Sequence, residues 1–332
     1  MKTIAVLLAA GQGKRMHSQL PKVLHLLGGK PLIWHAFNAL REASQEPPMV
    51  VIGHGADAVR QAVEEMGEAQ FAVQEQRLGT GHAVQQTEAL LKGKSDLVLV
   101  VSADMPLLGT GTLLGLIETQ KENEGPLTML TVRSDEARGF GRVVRDKKGQ
   151  IEAIVEEAQA TPEQLTIDEL NVGAYCIQSE WLWPALKRIP LSPKGEYYLT
   201  DLVGIAVDEG LAVAAINLED PADAIGVNTR VHLAEAEATL RVRINQRWML
   251  AGVTLIDPHS TYIEPEVVIG QDTTIHPNTA LRGKTRVGSE CQLGPNTVIA
   301  DTTIGDRCLV QSSVLEEAML ENDVDVGPFG HL

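Results

Sequence analysis

The sequence predicts an α/β protein: a doubly wound, mostly parallel, Rossmann-like sheet, followed by a helix and a short left-handed parallel β-helix of hexapeptide repeats. Three observations carry this. Apolar strand-like runs alternate with helical patterns through residue 132. Residues 229–251 read as one continuous helix, and beyond it aliphatic residues recur every six positions. The expected divisions are 1–228, a connecting helix and linker at 229–263, and a partial β-helix at 264–332.

TIAVLLAA (3–10) is a continuous apolar run, as a strand buried on both faces requires. Pro31 suits a first helical turn and precedes LIWHAFNALREA. MVVIG (49–53) precedes a helical pattern near 57–66, and QFAVQ (70–74) precedes a helix running to about Leu91. DLVLVVSAD (96–104) precedes a helix near 110–122, and LTMLTV (127–132) follows. From 133 to 227 the rhythm loosens into short strands, GRVVRD, IEAIVEE and LNVGAYCIQ, which are expected to form a lid or second lobe. In 229–251 Thr229 caps the helix, Leu233, Ala236, Leu240, Ile244 and Trp248 share a face, and Gly252 stops it. Ile269, Ile275, Leu281, Val287, Leu293 and Ile299 then keep a six-residue phase. The phase slips at Ile304-Gly305, resumes at Val310, and continues through Val314, Leu320 and Val326. Six is the period of neither a helix nor a hairpin; each side of a triangular coil supplies one inward aliphatic residue.

The 332 residues carry a net charge of −16, with 44% apolar and 22% charged residues, the balance of a globular chain. No apolar run approaches the roughly 20 residues of a membrane span, and the first residues lack a signal-peptide pattern. Cys176, Cys291 and Cys308 form neither a disulfide framework nor a zinc pattern. A cytoplasmic enzyme without membrane or nucleic-acid partners is expected, since the acidic total opposes phosphate-backbone binding. The acid is unevenly spread, however. No Asp or Glu precedes Glu42, although the composition would place about five there, and the same stretch holds Lys2, Lys14, Arg15, Lys22, Lys30 and Arg41.

Much of that positive charge sits in LLAAGQGKRMHSQLPK (7–22), behind the first strand, where ligands of doubly wound sheets bind. A dinucleotide fingerprint fails, because Met16 stands at the third glycine position and no acid follows before Glu42. A Walker loop fails because Arg15 follows Gly13-Lys14. What remains is a turn whose backbone N–H groups approach a polyphosphate, with Arg15 and Lys22 converging on it.

That loop resembles the signature of the sugar-1-phosphate nucleotidylyltransferases. LGTGHA (78–83), ADMPL (103–107), GFGRVV (139–144), ELNVG (169–173), GEYYLTD (195–201), GVNTR (226–230) and LAGV (250–253) narrow the resemblance to the uridylyltransferase half of the bifunctional bacterial enzymes that make UDP-N-acetylglucosamine. The resemblance runs the whole chain in order and implies transfer of UMP from UTP to N-acetylglucosamine-1-phosphate, with Mg²⁺ as cofactor and a homotrimer formed through the β-helix. It implies that Leu8, Ala9, Ala10, Gly11 and Gly13 hold the nucleotide and that Arg15 and Lys22 are catalytic, Arg15 gripping the triphosphate and Lys22 stabilising charge growing at the α-phosphorus. Asp104 and Asn228 would bind Mg²⁺, a cation suited to few protein oxygens when phosphates complete its shell. Gln74, Gly79 and Thr80 would read uracil, and Gly141, Glu156, Asn171 and Thr200 would line the sugar pocket.

Three departures stand out. Lys14 replaces the family's usual Thr, Arg77 stands where a Gln is common, and VEEAQA (155–160), with Ala158, lacks the family's Lys and Asp. His25 and His82 are read as packing residues, because a sugar phosphate oxygen is already anionic at neutral pH and the reaction rests on positioning and charge neutralisation. The GEYYLTD tyrosines are likewise lid or packing residues. Rival readings are a nucleotidylyltransferase for glucose-1-phosphate with UTP, dTTP or ATP, a hexapeptide acyltransferase using His276 or His331, and a trimerising scaffold. The array ends on VGPFGHL without an evident cap, so a truncated form unable to acetylate glucosamine-1-phosphate is expected.

Overall fold

A computed structural model describes residues 1–44 and 46–332. The chain forms two compact units, Met1–His25 with Pro31–Leu233, and Leu26–Lys30 with Ala234–Leu332.

In the first unit the alternating pattern becomes β1 (Thr3–Leu8), α1 (Leu32–Ala43), β2 (Met49–Ile52), α2 (Ala56–Glu64), β3 (Gln70–Val73), α3 (Thr80–Gln85), α4 (Glu88–Leu91), β4 (Leu97–Ser102) and α5 (Thr110–Glu122). There follow β5 (Leu127–Arg133), β6 (Arg142–Arg145), β7 (Ile151–Val155), β8 (Glu169–Gln178), α6 (Ser179–Leu186), α7 (Asp201–Asp208) and β9 (Val213–Asn217). Among the described residues these strands make one sheet in the order β9-β5-β8-β4-β1-β2-β3, with the β6–β7 hairpin attached to β8. β1 pairs in parallel with β2 on one side and β4 on the other. The winding therefore reverses at β1, and the carboxyl ends of β1 and β4 flank the crevice where such sheets bind ligands.

Both faces of the sheet are covered. Ala5, Leu7, Val50, Leu97 and Leu99 pack against Phe37 and Leu40 of α1, Val59 of α2 and Leu116 of α5. Their alternates Ile4, Val6, Val51, Val98 and Val100 pack against Val84 of α3, Trp183 of α6 and Val203 of α7. Burial on two sides is why β1 and β4 read as unbroken apolar runs.

The segment after 133 is not a separate lid lobe. β8 runs antiparallel between β4 and β5, in the middle of the sheet. It can lie there because its residues serve both cores: Leu170, Val172, Ala174 and Cys176 face one, Tyr175 and Ile177 the other. The helix expected up to Leu91 is interrupted between α3 and α4, where the buried Thr87 hydroxyl donates to the Val84 carbonyl at 2.7 Å.

The helix α8 spans Arg230–Leu250 and is followed by Gly252 at φ +93°, a left-handed position suited to a residue without Cβ. At its start Thr229 Oγ1 accepts from the His232 N–H at 3.2 Å. Ala236 and Ile244 are buried, and Leu240 and Trp248 pack beside Ile244 on the core of the second unit.

That core is enclosed by three stacks of short parallel strands, one of them running Thr261–Ile263, Thr279–Arg282, Thr297–Ala300 and Val314–Glu316. This is the left-handed hexapeptide β-helix. Pairing already begins at Thr254–Leu255, inside the stretch expected to be linker, because the Asp257–Ser260 turn lengthens the first side and hides the six-residue phase there. The later slips are shortened sides. Thr279 pairs with Thr297, but Arg286 with Thr303 and Val298 with Val314, so each coil uses progressively fewer residues. Leu315, not Val314, is the buried residue of its side. A second inward position lies two residues before each aliphatic one and is filled by small groups such as Thr273, Thr279, Thr285, Cys291 and Thr297, all wholly buried. Among the described residues no helix is long and apolar enough to cross a membrane.

Candidate functional site

An open cleft of about 870 Å³ lies at the carboxyl ends of β1 and β4. Leu8, Ala10, Gly11, Arg15, Lys22, Gln74, Gly79, Thr80 and Asp104 line it, together with Lys14 and Arg77. Ala9 does not: its methyl is buried and its N–H donates to the Val51 carbonyl at 2.9 Å. The loop after β1 is pinned by the buried Met16 side chain, which leaves the preceding Lys14 and Arg15 exposed. Gly13 has φ +64°, and a Cβ there would lie 2.5 Å from Lys22 Cβ, so this glycine lets the loop close onto Lys22. Lys22 in turn starts a 3₁₀ turn held by the Leu24 N–H to Pro21 carbonyl bond of 2.9 Å, with Val23 buried beneath.

The Lys22 ammonium donates to Asp104 Oδ2 at 2.5 Å and to Asn228 Oδ1 at 3.0 Å. Asp104 follows β4, and its carbonyl accepts from the Val227 N–H at 2.8 Å, which brings Asn228 alongside. Burial works against the Asp104 carboxylate, but the Lys22 charge and hydrogen bonds from Lys22 and Ser102 outweigh it and hold the carboxyl below its ordinary value. Two hard oxygens thus converge on one cation. That donor set suits a divalent metal that takes most of its shell from elsewhere, and among the described residues no group of three or more His, Cys, Asp or Glu competes for that place.

On the far side of the cleft Gln74, at the end of β3, is 4% exposed. Its amide nitrogen donates to the Gly79 carbonyl at 3.0 Å and lies 3.0 Å from His82 Nδ1, and its oxygen accepts from no described residue. His82 is held between Gln74 and Gln86, and burial lowers its pKa, so it stays neutral as a packing residue. Gly79, at φ +96°, is pressed against the 196–198 segment: a Cβ would sit 2.5 Å from the Tyr197 carbonyl oxygen.

Gly141, Glu156, Asn171 and Thr200 form a second cluster and are not on the wall of the cleft just described. The Asn171 N–H donates to the Gly141 carbonyl at 2.9 Å, and Thr200 Oγ1 donates to Glu156 Oε1 at 3.0 Å. Asn171 lies where the β8 register shifts, and its Oδ1 accepts from the Tyr175 hydroxyl at 3.0 Å and the Gly173 N–H at 3.2 Å. Burial, reinforced by the Glu196 charge, pushes the Glu156 carboxyl above its ordinary value despite the Thr200 hydrogen bond. Sequence reasoning missed Ser102, Glu196 and Tyr198, which also line the cleft. Ser102 was visible only as the polar end of LVLVVS, and the other two fell within a motif read as packing.

A family described as "MobA-like NTP transferase domain" matches residues 5–199, and "Bacterial transferase hexapeptide (six repeats)" matches 266–301. The chain is 45% identical over 333 positions to the bifunctional protein GlmU of an Exiguobacterium strain, covering 100% of this chain and 73% of that protein. It is 44% identical to GlmU of Heliobacterium modesticaldum, covering 100% and 72%, and 40% identical to that of Enterococcus faecalis, covering 99% and 71%.

Proposed function

The chain belongs to the GlmU family, and from that premise we propose that it is a nucleotidyltransferase moving UMP from UTP to N-acetylglucosamine-1-phosphate. The products are UDP-N-acetylglucosamine and pyrophosphate, a step in cell-wall precursor synthesis. The observation that carries this is the pairing, in one switch-point cleft, of Lys22 with the two oxygens of Asp104 and Asn228.

A phosphate oxygen of the sugar phosphate attacks the α-phosphorus of UTP in line, and the bond to the β-phosphate oxygen breaks to release pyrophosphate. No proton has to be removed from the nucleophile. Backbone N–H groups at Gly11 and Gly13 and the Arg15 guanidinium hold the triphosphate. Lys22 faces the α-phosphate and offsets charge that grows there. Asp104 and Asn228 would hold Mg²⁺, which would supply Lewis-acid charge to the phosphates. The free Gln74 oxygen accepts the uracil N3–H, and Glu156 and Thr200 meet hydroxyls of the sugar. Stacked parallel coils leave apolar outer positions such as Tyr262, Ala280 and Val298 in one row, which supports assembly as a trimer through the β-helix.

A base test follows from Gln74. Cytosine presents an unprotonated N3 to the same oxygen, leaving two acceptors face to face. Turnover measured by pyrophosphate release across UTP, CTP, ATP and GTP is expected to favour UTP over CTP on the order of 10²-fold in kcat/KM. Equal rates would overturn the reading of the base site.

Glu156 makes the sugar site pH-dependent. Its raised pKa means that the folded protein binds this proton more tightly than the unfolded chain does. Its contribution to stability is therefore complete below the ordinary carboxylate value and is lost as pH rises through the raised one. As pH falls through that raised value the carboxylate ceases to be a charged acceptor, and the KM for the sugar phosphate is expected to rise. Glu156→Gln should raise that KM about 10-fold at neutral pH and flatten its dependence at lower pH. A Glu156→Gln profile identical to that of the unaltered chain would contradict the assignment.

A further inference from the structure

The Thr80 side chain faces the nucleotide cleft, yet its hydroxyl oxygen is already engaged. It accepts from the Leu199 N–H at 3.0 Å, across 119 positions of sequence. Two backbone bonds run beside it: the Tyr197 N–H to the Leu78 carbonyl at 2.7 Å, and the Gly81 N–H to the Tyr197 carbonyl at 2.8 Å. Segments 78–81 and 197–199 are therefore laced together three times, and the Thr80 hydroxyl is the one side-chain link of the three. What it fixes is specific. Leu199 is 3% exposed and packs in the core beneath α7, and the next residue is Thr200, whose hydroxyl holds the Glu156 carboxylate. The first residue of α3 thus sets the height of the Tyr198-Leu199 peptide, and through it that of the adjoining Thr200–Glu156 pair.

We infer that Thr80 is a positioning residue for the sugar-phosphate pocket, acting through the Leu199 N–H, rather than a reader of the base. The inference rests on the proposed sugar site at Glu156 and Thr200. With Thr80 removed as an acceptor, the Leu199 N–H is left buried and unpaired, and the peptide must shift or admit water. Gln74 is tied to the Gly79 carbonyl and to His82, not to Leu199, so its bonds do not pass through the Thr80 hydroxyl.

Thr80→Val keeps the shape and removes the acceptor, and Thr80→Ser keeps the acceptor. Thr80→Val is expected to raise the KM for the sugar phosphate about 10-fold, with the KM for UTP within about 2-fold of the unaltered chain. Thr80→Ser should restore the sugar KM to within about 2-fold. Amide hydrogen exchange at Leu199 should speed up in the valine variant and not in the serine one, a readout independent of turnover. A rise in the UTP KM instead, no change in the sugar KM, or failure of serine to rescue would each overturn the inference while leaving the reaction standing. Absence of turnover by the unaltered chain would overturn the reaction, and this inference with it.

Discussion

Lys22→Ala is expected to lower kcat on the order of 10²–10³-fold, with a smaller change in the KM for UTP. The argument is differential binding. The ground-state α-phosphate and the transition state differ in the charge carried by the oxygens around phosphorus, so a fixed cation there contributes more as the reaction proceeds. Lys22 is fixed on three sides. Pro21 sets its turn, Gly13 closes against its Cβ, and Asp104 and Asn228 hold its ammonium, which is only 11% exposed as a side chain. Steady-state kinetics with saturating sugar phosphate separate the two parameters. A variant changed only in KM would make the cation a binding device. Removal of the ammonium also leaves the Asp104 carboxylate without its cation, so added divalent metal should raise the melting temperature of the variant more than that of the unaltered chain.

Asp104→Asn is expected to reduce metal-dependent turnover about 10³-fold or more, since several kcal/mol of charge stabilisation depend on a metal held by an anionic ligand. An amide keeps one oxygen but loses the charge that balances a divalent cation. Asp104 lies at the end of β4, not within either apolar core, so the fold should survive, as near-ultraviolet circular dichroism can check. Its lowered pKa means that the ionised carboxylate adds stability at neutral pH, an increment lost as pH falls through the depressed value. The asparagine variant should therefore lose part of that acid dependence. Near-normal kcat at saturating Mg²⁺ would contradict the metal assignment.

The most legible parts of this chain were those whose signal is local. β1 is buried on both faces, so its run is continuous, and a loop follows where the chain must leave the sheet. The hexapeptide phase was visible because each coil repeats one inward aliphatic residue. Strand direction has no such mark: β8 reads like any apolar run, its two-faced packing suits an interior position, and its antiparallel pairing with β4 and β5 shows only in the fold. The choice of Leu315 over Val314 is set by how many residues a turn consumes, which two adjacent aliphatic residues do not reveal. At the cleft, Lys22, Asp104 and Asn228 were named from motifs far apart in sequence, and they meet. The Thr80–Leu199 contact was not legible, because a hydroxyl beside a nucleotide loop looks like a ligand contact until its partner is seen.

The central claim is that this cleft transfers UMP to a sugar phosphate directly. Mixing the chain with UTP, N-acetylglucosamine-1-phosphate and Mg²⁺, and quantifying both products over time, tests it in one reaction. The account predicts equimolar UDP-N-acetylglucosamine and pyrophosphate, with neither formed when the sugar phosphate or Mg²⁺ is omitted. Pyrophosphate released without the sugar nucleotide, or no product from the complete mixture, would contradict it.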